Sequence, residues 1–205
     1  MATRARTKTK RAAGRKSARA RPGSRRSRAG SASAGSMNAL ELLKHDHREV
    51  EGFFEEYEEL EDEEEKRALA EKICTALKVH SQIEEEIFYP QARAATGDED
   101  LLDEALVEHA GAKHLISEIE SMKPGDDLYD AKIKVLGEQI KQHVKEEEKE
   151  LFREVKAAKA KMDLAAIGKR LTERKQELMS ELAPEAGSTS RPHEASSRGA
   201  HRRIF

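Results

Sequence analysis

Four apolar stripes run through this chain, and one histidine interrupts each of them. The first is Leu40, Leu43, His47, Val50, Phe54 and Tyr57; the second is Leu69, Ile73, Ala76, His80, Ile83 and Ile87. The third is Leu102, Ala105, Leu106, His109, Ala112, Ile116 and Ile119; the fourth is Ile133, Leu136, Ile140, His143, Glu147 and Leu151. Steps of three and four residues place each set on one face of an α-helix, which must bury that face against its neighbours. The spacing therefore predicts a helical bundle with four histidines turned inward. Two of them, His80 and His143, have a glutamate four residues on, Glu84 and Glu147, on the same helix face.

Punctuation between the stripes agrees with this division. Asn38 is a good N-cap, the acidic run from Glu61 to Glu65 makes a turn, and Thr96-Gly97-Asp98 reads as a helix stop followed by the next N-cap. Pro124-Gly125-Asp126-Asp127 is a turn signal, and Pro90 is expected to kink the second helix or mark its last turns. Asp163 is expected to cap a short amphipathic helix carrying Leu164, Ile167, Leu171, Leu178 and Leu182, which packs along the bundle or mediates a dimer. The expected organisation is a disordered basic tail over 1–36, the bundle over 37–160, a C-terminal helix over 161–183 and a flexible tail over 184–205.

Charge sharpens that division. Twelve of the 38 Lys/Arg residues fall in 1–36, which has no Asp or Glu, leaving 26 basic against 40 acidic side chains elsewhere. A basic, low-complexity tail on an acidic body suits non-specific contact with nucleic acid, a solubilising role, or loose association with the body itself. The fraction of charged residues, 38%, against 4% aromatics favours an all-α or partly disordered chain over a β-sandwich. Cys74 is the sole cysteine, so no intramolecular disulfide forms, and no window approaches the roughly 18 apolar residues of a membrane span. A cytoplasmic setting is expected. The N-terminus lacks the apolar core of a secretory signal, although its Arg/Ala/Ser composition has some likeness to a transit peptide.

A carboxylate on a core stripe needs an energetic reason. An unpaired ionised carboxylate in a helical interior costs several kcal/mol, and a second on a facing helix repels the first. Either cations neutralise the pair or the site titrates, and no lysine or arginine falls on the four stripes. Two divalent metal ions would neutralise both glutamates and accept neutral imidazoles, a mixed N/O donor set suited to iron. His47, His80, Glu84, His109, His143 and Glu147 therefore form one candidate constellation. His45 lies off its stripe, His114 is expected to be exposed, and His193 and His201 belong to the expected tail. Glu85 and Glu86 are expected to rotate into solvent, and no acid outside the six stands out as a supporting partner.

In its motifs, residues 37–160 resemble a hemerythrin-like HHE cation-binding domain, an up-down four-helix bundle. The matching elements are His47 in Leu-Leu-Lys-His-Asp-His-Arg, His80 and Glu84 in His-Ser-Gln-Ile-Glu-Glu-Glu-Ile-Phe-Tyr-Pro, His109 in Glu-His-Ala-Gly-Ala-Lys, and His143 with Glu147 in His-Val-Lys-Glu-Glu-Glu. The resemblance implies a non-haem di-iron centre. His47 and His80 would bind one iron, His109 and His143 the other, and Glu84 and Glu147 would bridge them, with an oxo or hydroxo bridge bringing each iron to about five donors. Oxygen-carrying members have a further histidine four residues after the position of His109, where this chain has Lys113. They also end on His followed by Asp five residues later, where this chain has Glu four residues later. Lys113 could approach the second iron, pair with Glu108 or Glu147, or lie at the surface. The four-histidine, two-glutamate set is similar to that of iron-sulfur cluster repair proteins, without their cysteine-bearing module.

These departures shift the expectation from reversible oxygen storage towards sensing or buffering of iron, oxygen or nitric oxide. The alternatives are a redox enzyme acting on peroxide or nitric oxide, and an iron donor of the cluster-repair kind.

Overall fold

The computed structural model describes residues 37–182. The expected tails over 1–36 and 184–205 lie outside these residues. Helix α1 (Ala39–Glu59) leads to α2 (Glu63–Ile83), which passes through a π-helical turn at Glu84–Phe88 into α3 (Tyr89–Thr96). Helix α4 (Glu99–Glu120) precedes α5 (Tyr129–Glu146), which passes through a second π-helical turn at Glu147–Leu151 into α6 (Phe152–Ala157). A 3₁₀ turn, Lys159–Lys161, separates this rod from α7 (Leu164–Leu182).

The ends form where local chemistry dictates. Asn38 closes a capping box with Glu41, Asp62 accepts from the backbone N–H groups of Glu64 and Glu65, and Asp98 accepts from Leu101 N–H. Gly97 terminates α3 at φ 73°, a left-handed conformation open to glycine at little cost. Asp163 Oδ1 accepts from Ala166 N–H at 3.0 Å to start α7, as its sequence position suggests.

Two apolar clusters hold the bundle together. One contains Leu43, Ile83, Leu102, Leu151 and Phe152; the other contains Val50, Ile73, Leu77, Ile116 and Leu136. Chain direction alternates between them: α1 and α4 run from the first cluster to the second, while α2 and α5 run back. This is the up-down arrangement, and it leaves one buried polar layer between the clusters, occupied by Asp46, His47, His80, Glu84, His109, His143 and Glu147.

One expectation needs correction, and two that left alternatives open are narrowed. Leu106, assigned to the third stripe, is 37% exposed, because Leu102, Ala105 and His109 already fill that face of α4. Pro90 stands at the start of α3 and so marks the last turns of its rod, one of the two expected outcomes. The preceding π turn, closed by Tyr89 N–H to Glu84 O, widens the helix where the proline ring would meet the carbonyl of the previous turn. Helix α7 packs along the bundle, against α1, α2 and the first π turn, burying Ile167, Leu171 and Leu178. Among the described residues, no helix is long and apolar enough to cross a membrane.

Candidate metal centre

The polar layer brings all six candidate residues together. The imidazoles fall into two facing pairs: His47 Nε2 lies 3.1 Å from His80 Nε2, and His109 Nε2 lies 3.3 Å from His143 Nε2. Glu84 lies between the pairs, with Oε2 3.3 Å from His80 Nε2 and 3.4 Å from His109 Nε2. Glu147 Oε2 lies 3.3 Å from His47 Nε2. Both glutamates are the first residues of π turns, where the extra residue per turn redirects side chains and often accompanies a functional site.

Carboxylates face the outer edges of the rings. His47 Nδ1 is 3.0 Å from Glu148 Oε1, His109 Nδ1 is 2.9 Å from Glu85 Oε1, and His143 Nδ1 is 2.7 Å from Glu108 Oε2. His80 Nδ1 faces Asp46 Oδ2 at 3.6 Å, an ion-pair distance just beyond a hydrogen bond. A carboxylate accepts, so each of the three closer partners fixes its ring as Nδ1–H and turns the Nε2 lone pair inward. Glu85 is therefore no solvated bystander, and supporting acids exist that the sequence reading missed. Lys113 pairs with Glu85 at 2.7 Å and reaches neither Glu108 nor Glu147. Tyr89 was also missed: its buried hydroxyl lies 3.4 Å from His109 Nε2 and 3.5 Å from Glu84 Oε2.

The missed acids follow a pattern visible in the chain. Asp46-His47 on α1 is matched by Glu108-His109 on α4, and His80-x-x-x-Glu84-Glu85 by His143-x-x-x-Glu147-Glu148. In the first pattern the acid serves the histidine partner in the same pair. In the second, the outer glutamate crosses to the opposite pair.

Electrostatically, this layer is suited to cations. Burial and the facing charge of Glu147 push Glu84 well above the ordinary carboxylate range. Burial acts the same way on Glu147 but is outweighed by His47, His143 and His80, which hold it low. Burial and the charge of His143 bring His109 down to about 4, and burial lowers His80, so both rings favour the neutral, ligating form. For His47, burial is outweighed by Glu147 and Glu148, which raise it. Glu84 Oε1 and both carboxylate oxygens of Glu147 are buried without a hydrogen-bond partner. Inward lone pairs at these separations fit a shared cation: two nitrogens each about 2.1 Å from one ion and about 95° apart lie roughly 3.1 Å from each other. His47, His80 and Glu84 form one close donor group, and Glu84, His109 and His143 another.

Two clefts adjoin the layer. The first is lined by Val50, Leu77, Ala112, Ile116, Ile140 and Val144, together with the four histidines and Lys113. The second is acidic and lined by Glu104, Glu108 and Glu146, and it reaches His143 and Glu147.

A four-helix bundle with an interior layer of imidazoles and carboxylates, three of whose inner oxygens lack a hydrogen-bond partner, is the framework of a metal-binding protein. The hemerythrin HHE cation binding domain model matches residues 38–155, and the chain belongs to this family. It is similar to the crystal structure of a hemerythrin HHE cation binding domain-containing protein from Mycobacterium kansasii. That likeness has a TM-score of 0.60 and 26% identity, and covers 71% of this chain and 89% of the other. A curated relative named DNA nickase, from Nostoc sp., is 28% identical over 116 residues, 57% of this chain. This chain spans only 33% of that relative's length.

Proposed function

We infer that this chain is a non-haem di-iron protein that senses or buffers iron, oxygen or nitric oxide, with His47, His80, Glu84, His109, His143 and Glu147 as its ligands. The observation that carries this reading is the pairing of the Nε2 atoms at 3.1 and 3.3 Å around carboxylate oxygens that have no other partner. When bound, the irons supply a redox couple and open coordination positions for a small ligand. The protein's own part is to orient the imidazoles, through Nδ1–H donation to Glu85, Glu108 and Glu148, with their Nε2 atoms turned inward. The apolar cleft beside the four histidines gives a small, weakly polar molecule a dry place next to them. Lys113 is held by Glu85 and supplies no donor in place of a fifth histidine.

Turnover of peroxide or nitric oxide is the second reading, favoured by the Tyr89 hydroxyl. Burial raises its pKa well above the usual phenol value, so it stays protonated as a donor beside Glu84 and His109.

Anaerobic reconstitution tests the centre: about two irons per chain are expected, as in carboxylate-bridged bundle proteins, and His80→Ala should lower that number. Fewer than about one iron in the wild type, or unchanged content in His80→Ala, would overturn the assignment. Mixing the reduced protein with oxygen, peroxide and nitric oxide then separates the two readings. A reversible, stoichiometric spectral change supports sensing, and repeated turnover supports an enzyme.

Contact with nucleic acid through residues 1–36 rests on their twelve unopposed basic side chains. It predicts salt-dependent, sequence-independent DNA retention that disappears when those residues are deleted. Equal retention by the truncated chain would reject it.

A further inference from the structure

The two halves of the metal centre are built alike, apart from the carboxylate behind one histidine in each. In the half formed by His109 and His143, Glu108 backs His143 and opens onto the acidic cleft, with its side chain 29% exposed. In the half formed by His47 and His80, Asp46 occupies the corresponding place behind His80, but its side chain is only 5% exposed. What covers Asp46 is α7: Lys175 Nζ lies 2.7 Å from Asp46 Oδ1. Glu148 and Glu85 also have cationic partners, but theirs come from the four-helix core, Lys44 and Arg48 on α1 and Lys113 on α4. Only Asp46 receives its cation from the added helix, and the family match ends at residue 155, before α7 begins.

The docking that delivers Lys175 is tightly defined. Along α7 the buried stripe runs Ile167, Leu171, Leu178, and the seven-residue interval between the two leucines is filled by Arg174 and Lys175. Arg174 clasps Glu86 of the first π turn, with Nε 2.8 Å from Oε2. Gly168 lets α7 approach the start of α1: a Cβ there would lie 2.4 Å from the Met37 carbonyl oxygen and 2.8 Å from Ala39 N. Asp46 Oδ2 and His80 Nδ1 are buried, have no hydrogen-bond partner, and face each other.

We propose that α7 is a working part of the metal centre, with Lys175 a positioning residue that holds the Asp46 carboxylate in place behind His80 and so sets the metal affinity of the His47/His80 half apart from that of the other. Lys175 anchors one carboxylate oxygen of Asp46 and leaves the other facing His80 Nδ1; without that anchor the carboxylate is free to turn from the ring whose orientation it sets. This inference rests on the metal-centre reading above. It adds that the two sites are unequal and that the inequality originates outside the family domain.

Cobalt(II) is the probe, titrated into the full-length metal-free chain in competition with a chelator and followed by its visible spectrum. The wild type should show two binding steps. Lys175→Met should weaken one of them by about 10–100-fold, the usual effect of losing an outer-shell partner, and leave the other in place. Lys175→Arg should restore it, while Asp46→Asn should weaken the same step. Arg174→Gln releases a different α7 contact and should match the wild type. If Lys175→Met detaches α7, as helix content by circular dichroism would reveal, Asp46→Asn and Arg174→Gln decide the matter alone. Unchanged cobalt affinity in Asp46→Asn, or equal weakening by Arg174→Gln, overturns the proposal. Failure of the wild type to bind cobalt overturns the metal-centre reading itself, and this inference with it.

Discussion

Replacing Glu84 by glutamine should make the metal-free protein more stable while abolishing its response to metal. Glu84 is fully buried, Oε1 has no partner, and Glu147 faces it. Exchanging a buried carboxyl group that has no compensating cation for a neutral amide of the same shape gains about 1–2 kcal/mol, the lower part of the range seen when buried ions are replaced. For an ordered region of this size that corresponds to a rise of about 2–8 °C in Tm. The sign with pH follows from the raised pKa of Glu84. The folded state holds a proton that the unfolded state has lost, so wild-type stability falls as pH rises from about 4.5 through the higher folded value. The advantage of Glu84→Gln should therefore be present at neutral pH and vanish near pH 4.5. Adding metal at about 100 times its dissociation constant should stabilise the wild type by about 2.7 kcal/mol, or roughly 5–11 °C, and the variant hardly at all. Thermal melts with chelator and with iron(II) or cobalt(II), at neutral pH and near pH 4.5, provide the assay. A variant that melts below the metal-free wild type at neutral pH, or keeps the full metal-induced shift, would refute the view of Glu84 as a carboxylate awaiting a cation.

Three further outcomes are expected. Glu108→Gln and Glu148→Gln should each weaken metal retention by about 10–100-fold in chelator competition, because His143 and His47 lose their ionic acceptors; unchanged retention would deny them that role. Gly168→Ala should destabilise the chain by about 1–3 kcal/mol in urea unfolding, since the added methyl collides with the backbone at the start of α1. Asp130, held below the ordinary carboxylate range by Lys66 and, against partial burial, by Tyr57, stabilises the fold above pH 3.8, and that contribution disappears as pH falls through its lower folded value. Asp130→Asn should flatten the acid side of the stability–pH curve, and an unaltered curve would remove Asp130 from that account.

Much of the architecture was legible because burial leaves a periodic trace. His47, His80, His109 and His143 could be placed inside simply by counting from their apolar neighbours. The outer acids escaped because they sit one position from the stripes, where a regular helix would carry them towards solvent. Glu85 is the clearest case. It is redirected by a π turn, and no local propensity announces that turn. The repeated patterns Asp-His/Glu-His and His-x-x-x-Glu-Glu were the available signal, one that appears only when the two halves of the chain are laid side by side. Lys175 was harder still, since its meaning depends on where α7 docks, and the amphipathic pattern of α7 allowed either the bundle or a second chain as its partner.

The crossed arrangement of the two π turns bears on how damage would spread. His80, Glu84 and Glu85 form one six-residue cassette, but His80 belongs to one histidine pair, Glu84 touches both, and Glu85 orients a ring in the other. In the other cassette His143 belongs to the second pair, while Glu147 and Glu148 both reach His47 in the first. Neither half owns a complete set of parts. A lesson from woven structures applies: cutting one strand slackens both sides of the cloth, so a local unwinding at either π turn would loosen both histidine pairs together.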